Sequence, residues 1–266
     1  MPRLTDLALA TIYESIDIAA SAAGYGTVVA NTLDDTEHRM IRIEAMLSMG
    51  VDGVIIGDSH IGDTAGHELQ SRGVPYVLVM RRLEGHLSVT TDDYRGGRLA
   101  AEHLLELGHK RVGVVAGDQL ASTGRERTLG FRQAYQAAGY PIAEQYVIES
   151  EFSTTAGMSA GATLLSLPDP PTAIFAVHDL VALGVMGAVR EAGRQLGSEI
   201  ALVGYNDLEL ASTLPVPLTS VSSGLGSMGR LCFDALVGKI NGQESDSILL
   251  EPALIPRATT LGVRKY

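Results

Sequence analysis

Along this chain, apolar residues recur at helical spacing, give way to a short unbroken apolar run, and then the exchange repeats. Leu9, Ile12, Ile16 and Ala19 fall on one face of a helix that Thr5 or Asp6 can cap and Gly24 ends. Thr27–Ala30 then predicts a short buried strand and Asp34–Met49 a second helix. Val54–Ile56 reads as a strand, Asp63–Ser71 as a helix closed by Gly73, and Pro75–Val79 and Ser88–Thr90 as further strands. Asp93–Leu107 is the next helix, ended by Gly108. Runs this short and this continuously apolar are buried on both faces, and their alternation with helices predicts right-handed crossovers and a parallel sheet.

The second half keeps the rhythm. Val112–Ala116 is a strand, Thr123–Ala138 a helix closed by Gly139, Tyr146–Ile148 a strand and Ser153–Leu167 a helix. Pro168-Asp-Pro-Pro171 breaks the chain before strand Ala173–Val177, and His178 or Asp179 opens a helix that stops near Gly193. Strand Ala201–Val203 runs into Gly204-Tyr-Asn-Asp207, and after Pro215 come strand Leu218–Val221, helix Gly226–Ile240 and two closing strands near Ile248–Leu250 and Thr259–Val263. Two comparable blocks predict two α/β lobes with a cleft between them. A lone late helix predicts that the chain returns to the first lobe and crosses back. One element is out of place: the first is a helix, whereas a doubly wound sheet starts with a strand. A first strand upstream of Met1, beside Thr27–Ala30, is the expectation.

Composition narrows the function. The 266 residues carry a formal charge of −11 and no basic cluster denser than Arg81-Arg82, which argues against nucleic-acid or anionic-membrane binding by these residues themselves. No apolar run is long enough to span a bilayer, and no basic region followed by an apolar one marks a signal peptide. The single cysteine, Cys232, lies in an apolar helical pattern and reads as a small buried hydrophobe. With one cysteine there is no disulfide framework, consistent with a reducing cytoplasm.

Motifs of chemistry are sparse. Gly224-Leu-Gly-Ser-Met-Gly229 has the spacing of a dinucleotide fingerprint, but some forty residues remain after it, too few for the halves that fingerprint introduces. Gly57-Asp58-Ser59-His60 puts a serine after a strand without the elbow of a hydrolase. The seven histidines show no metal-ligand pairing. Neither cofactor, nor metal, nor enzyme activity is expected. What remains is polar residues at the carboxyl ends of strands, where open α/β sheets bind ligands: Asp6, Asp58, Asp92, Asp93, Arg125, Arg127, His178, Asp179, Asn206 and Asp207. Ser122 lies in the loop that delivers the two arginines, whose planar forks fit carboxylate, phosphate or vicinal hydroxyls. No pair among them forms a nucleophile and its base. The pattern is that of binding, not turnover.

Longer stretches carry a resemblance. Glu102-His-Leu-Leu-Glu-Leu-Gly-His-Lys-Arg-Val-Gly-Val-Val-Ala-Gly117, Arg125-Glu-Arg-Thr-Leu-Gly-Phe131, Pro168-Asp-Pro-Pro-Thr-Ala-Ile-Phe175, Leu202-Val-Gly-Tyr-Asn-Asp207 and Pro217-Leu-Thr-Ser-Val221, with Met228-Gly229, resemble the lactose/purine repressor (LacI-type) family, in its order and over nearly the whole chain. The resemblance implies a periplasmic-binding-protein-like core of two doubly wound parallel-sheet lobes joined by three crossovers near Thr91–Asp93, Val221–Ser223 and Ile248–Glu251. The lobes are then residues 1–91 with 224–248, and 92–223 with 249–266. It further implies a small polar effector in the cleft, such as a sugar, sugar acid or related metabolite, a homodimer, and a cytoplasmic regulator that binds operator DNA through a helix-turn-helix absent from these residues.

By position, the resemblance assigns Arg127 to gripping the effector, Asn206 to the place of a hydrogen-bonding aspartate, and His178 to that of an asparagine. Phe152 stands at an aromatic that packs on the ligand and Asp6 at a polar residue of the first loop. Ser122 and Asp58 complete the candidate set. Ala8 and Leu9 stand where the family's first helix opens with two aromatics, and Met80 replaces a frequent aspartate, so the expected site is less aromatic and less suited to sugar stacking. The alternative sharing this fold is a solute receptor of a transport system.

Overall fold

A computed structural model gives the structure, which describes residues 1–261. In chain order the elements are α1 (Leu7–Ala22), α2 (Thr36–Ser48), β1 (Val54–Ile56), α3 (Ala65–Ser71), β2 (Tyr76–Val79), β3 (Ser88–Thr91), α4 (Asp93–Glu106), β4 (Val112–Ala116), α5 (Ser122–Ala137) and β5 (Val147–Glu149). There follow α6 (Thr154–Leu165), β6 (Ala173–Ala176), α7 (Asp179–Glu191), β7 (Ala201–Asn206), α8 (Glu209–Thr213), β8 (Thr219–Ser222), α9 (Leu225–Ile240), β9 (Ile248–Leu250), β10 (Ala253–Ile255) and α10 (Ala258–Leu261). The chain divides into two compact units, Met1–Thr91 with Gly224–Leu250, and Asp92–Ser223 with the stretch from Glu251.

The first unit is a parallel sheet in the order β1-β2-β3-β9. Asp6 caps α1, its Oδ1 accepting from the amide of Ala8 at 2.9 Å. Ile43, Val54, Ile56, Leu69, Tyr76 and Leu78 form an apolar core around β1 and β2. α9 returns to this unit and packs on α1, where Gly229 faces the carbonyl of Ile12 without room for a side chain. Of the glycines in the fingerprint-like run, Gly229 is thus a packing residue, and Gly224 takes the left-handed conformation ahead of α9 (φ 69°). Cys232 is fully buried on α9, and burial pushes its thiol pKa up.

One expected strand does not form. Thr27–Ala30 joins no ladder. Thr27 is tied instead by its hydroxyl to Asp17 and to the Tyr13 hydroxyl of α1. Its apolar pattern is that of a strand, but a strand requires an edge to pair with, and no strand of the described residues lies beside it.

The second unit has a six-stranded sheet, order β10-β8-β7-β6-β4-β5, parallel except that β10 runs antiparallel to β8. Alternate strand residues feed two apolar layers. Val112, Val114, Phe175, Val203 and Tyr205 meet Ala101, Leu104, Phe131 and Tyr135 on one face, with Phe131 stacked on Phe175 at 4.6 Å. Val115, Ile174, Ala176 and Leu202 meet Leu164, Val181, Val185 and Val189 on the other.

The last expected strand, Thr259–Val263, is corrected. Through Leu261 this stretch is the helical turn α10, residues 262–263 lie outside the described residues, and the closing strand is β10. The β-branched threonines that signal a strand use their hydroxyls instead. Thr259 Oγ1 donates to the carbonyl of Leu202 at 2.7 Å, and Thr260 Oγ1 lies 2.7 Å from that of Thr219 and 2.8 Å from His103 Nε2.

Helices α4 and α5 pack backbone to backbone, because Gly97 sits against the Arg127 carbonyl and Gly130 against that of Tyr94. A methyl group at either position has no space, and the obstacle is main chain rather than a flexible side chain. Gly97→Ala is therefore expected to lower stability by ~1–3 kcal/mol through overpacking, read as a reduced midpoint in urea unfolding. An unchanged midpoint would show that the helices separate freely.

Candidate functional site

The second unit brings most of the predicted residues to the carboxyl ends of β4, β6 and β7. α5 begins directly after the β4 loop, with Ser122 and Thr123 buried in its first turn. The two arginines that follow in α5 part company, since Arg125 is exposed and Arg127 is 2% exposed. The close α4–α5 contact sets Arg127 opposite Asp93, the first residue of α4, and Nε donates to Asp93 Oδ1 at 2.7 Å. Nη1 donates to the Val177 carbonyl at 2.9 Å, and the guanidinium lies over the Tyr205 ring, 3.8 Å from its centroid. The guanidinium is thus fixed by a carboxylate, a carbonyl and a π-face, and it is held in place before any ligand arrives. Burial and then the neighbouring Asp93 push the Tyr205 phenol well above its ordinary pKa, so it stays neutral.

His178 follows Val177 and caps α7, its Nδ1 accepting from the amide of Leu180 at 3.1 Å. Its ring is 5.7 Å from that of Phe152, which packs beneath Gly117 at the end of β4. Asn206 ends β7 with φ 102° and is followed by Asp207 at φ 52°, two consecutive non-glycine residues at positive φ. Such backbone is costly and persists only where its surroundings fix it. Here Asp179, buried under Gly204, accepts from the Leu208 amide at 2.8 Å and from Ser220 Oγ at 2.7 Å. Ser220 Oγ in turn accepts from the Asp207 amide at 3.0 Å, and Arg257 pairs with the Asp207 carboxylate at 2.7 Å. The turn presents the Asn206 side chain in a buried setting. Ser223 donates to its Oδ1 at 3.3 Å, while its Nδ2 has no hydrogen-bond partner among the described residues.

Asp6 and Asp58 lie in the first unit. Asp6 serves as the α1 cap. Asp58 is buried after β1, where its Oδ2 lies 3.0 Å from Arg39 Nε and accepts from Thr32. Burial alone would raise its pKa, but the Met1 ammonium and Arg39 outweigh it and hold the carboxyl below its usual range. Arg39 also reaches Asp63 and donates to the Asp58 carbonyl at 2.6 Å. Sequence reasoning missed Arg39, Tyr205 and Ser223. The first had a signal: Arg39 stands one turn before Ile43, on the apolar face of its helix. Among the described residues, no group of three or more His, Cys, Asp or Glu is placed to hold a metal, and no helix is long and apolar enough to cross a membrane.

Comparison with known proteins decides the family. A profile for the "periplasmic binding protein-like domain" matches residues 101–260. The transcriptional regulator CelR of Thermobifida fusca is 34% identical over 246 residues, 91% of this chain and 72% of that protein. The repressor PurR of Klebsiella pneumoniae is 29% identical over 93% of this chain and 74% of its own length. The solved CelR–cellobiose complex superposes with a TM-score of 0.88 at 32% identity, covering 96% of this chain and 80% of that one. The chain belongs to the LacI-type family of transcriptional regulators. It has the periplasmic-binding-protein-like fold, and it is the ligand-sensing core of a LacI-type regulator rather than a transport receptor. The relatives named here are regulators, not enzymes.

Asp179 carries the testable electrostatics. Burial raises its pKa to about 6, against the hydrogen bonds from Leu208 and Ser220 that work to lower it. The folded state therefore holds this proton more tightly than the unfolded chain, whose aspartates titrate near ~3.9. The stabilisation is fully present below that value and is lost as pH rises through about 6. Relative to Asp179→Asn, the parent chain is expected to lose on the order of 2–3 kcal/mol between roughly pH 4 and pH 7. Urea unfolding of both chains across that interval measures the difference, and a constant difference would contradict a raised pKa.

Proposed function

We propose that this chain senses a small polar effector, such as a sugar, sugar acid or related metabolite, and thereby controls binding to operator DNA. Arg127, Asn206, His178, Phe152 and Ser122 form the effector set at the strand ends of the second unit. Asp6 and Asp58 belong to the first unit. Their carboxylates already serve a helix cap and Arg39, so their part is to hold the loops that carry them. The reading rests on Asn206. A buried amide donor without an acceptor costs about 1–3 kcal/mol, and strained backbone is maintained to present it. An oxygen acceptor on a ligand satisfies Nδ2, while the Phe152 ring offers an apolar face beside His178.

The rest of the proposal follows from the relatives. Those named above are helix-turn-helix regulators, and this chain spans about three quarters of their length. In this reading a helix-turn-helix outside these 266 residues contacts DNA, in the cytoplasm, as a homodimer whose two-fold axis sets the half-site spacing. The effector acts by binding one state of the dimer more tightly than the other. An acidic core suits this division of labour, since the DNA contacts lie elsewhere.

The test is a thermal-shift screen against pentoses, hexoses, β-linked disaccharides such as cellobiose, sugar acids, sugar phosphates and nucleobases. Ligand at about a hundred times its dissociation constant adds roughly 2.7 kcal/mol, a rise of several degrees. Asn206→Ala is the partner variant of choice. Arg127→Ala strands the buried Asp93 carboxylate and is expected to lose about 3–5 kcal/mol of stability for that reason alone. A shift that Asn206→Ala abolishes supports the assignment. A ligand that shifts parent and variant equally removes Asn206 from the site.

A further inference from the structure

At the carboxyl ends of β4, β6 and β7, the hydrogen-bonding role of each proposed effector contact is fixed by what holds it from behind. His178 Nδ1 accepts from the Leu180 amide at 3.1 Å, so the ring carries its proton on Nε2 and can only donate there. The Ser223 hydroxyl donates to Asn206 Oδ1 at 3.3 Å. That bond orients the amide and leaves Nδ2, a donor, as the end without a partner among the described residues. Arg127 offers N–H groups alone, whatever approaches it. Ser122 carries a hydroxyl that can turn either way and decides nothing. Three of the contacts are therefore donors, locked in that role.

The acceptors of the same region are engaged by the protein. Asp93 receives Arg127 Nε at 2.7 Å, and the Val177 carbonyl receives Nη1 at 2.9 Å. Asp179 accepts from the Leu208 amide and from Ser220 Oγ, and Asp207 pairs with Arg257. Asp92 accepts from the Arg95 amide at 2.9 Å and Asp118 from the Leu120 amide at 2.8 Å. Each of these carboxylates has a donor supplied from within the second unit. The same arrangement sets the charge balance, because the Arg127 cation is already matched by the Asp93 anion.

We infer that the effector is a sugar or polyol acid whose carboxylate meets this set of donors, a narrower class than the one proposed above and one that rests on that reading. Two carboxylate oxygens accept from several directions and bring no hydrogen with them. A hydroxyl in the same place also accepts, but its own hydrogen then needs an acceptor, and the carboxylates nearby are engaged. A buried hydrogen without an acceptor is costly, and a site that fixes its partner's hydrogen-bonding role rejects the wrong partner strongly. A phosphate is a poorer match. As a dianion it calls for more positive charge than an arginine already paired with Asp93 supplies. The Phe152 ring, 5.7 Å from that of His178, offers apolar surface to the carbon skeleton that carries the carboxylate.

Isothermal titration calorimetry with matched pairs tests the class: glucuronate against glucose, galacturonate against galactose, and cellobionate against cellobiose, with glucose 6-phosphate alongside. In at least one pair the acid is expected to bind about tenfold or more tightly than its neutral partner, and ahead of the phosphate. Asn206→Asp puts an acceptor where Nδ2 donates. It is expected to weaken the acid about tenfold or more while the neutral sugar holds or gains. A neutral sugar that binds as tightly as its acid overturns the inference, as does a phosphate that binds ahead of the acids, or the absence of binding by every acid. Should a neutral sugar bind the parent chain and be lost in Asn206→Ala, the effector reading stands and only the class is wrong. Should an acid bind parent and Asn206→Ala equally, the site itself is wrong and the inference falls with it.

Discussion

A guanidinium taken out of water must be answered on every side, and the second unit is arranged to answer the one on Arg127. Asp93 supplies the charge, Val177 a carbonyl and Tyr205 a ring face. Each comes from a different part of the chain, so a single side chain ties α4, α5, the end of β6 and β7 together. The close approach of α4 to α5, which two glycines permit, is a precondition for the pair. With the charge neutralised inside the protein, the proposed site offers directed hydrogen bonds more than net attraction, in keeping with the neutral Asn206.

Fixing the arginine leaves the turn after β7 as the adjustable part. Its two left-handed residues are held from below by Asp179 and Ser220 and from the side by Arg257. None of these supporting residues belongs to the proposed effector set. Together they convert a strained backbone into a defined direction for Asn206, as preorganised binding sites require. The first unit repeats the logic with other residues, where Arg39 gathers Asp58 and Asp63 after β1. In both units a buried arginine organises the carboxyl ends of the strands.

Much of this was written in local sequence. The exchange of helical and unbroken apolar spacing located nearly every strand and helix, because buried parallel strands have no polar alternation to obscure them. Family motifs placed Arg127, His178, Phe152 and Asn206 in one region. Two local readings failed for one physical reason: a strand is made by its partner. Thr27–Ala30 has strand composition and no neighbouring strand, and Thr259–Leu261 spends its β-branched side chains on hydroxyl bonds to Leu202 and Thr219 within a helical turn.

By itself, then, the sequence determined the fold class, the order of the elements and the loops that carry polar residues, since all three follow from spacing along the chain. Only the tertiary structure decided which of those polar residues are held and which present. Arg125 and Arg127 are two positions apart, yet one faces solvent and the other is buried against Asp93. Asp58 follows β1 and Asn206 ends β7, yet one is bound to Arg39 and the other keeps an unmet donor. These differences depend on what approaches from elsewhere in the chain, and that is set by packing, not by spacing.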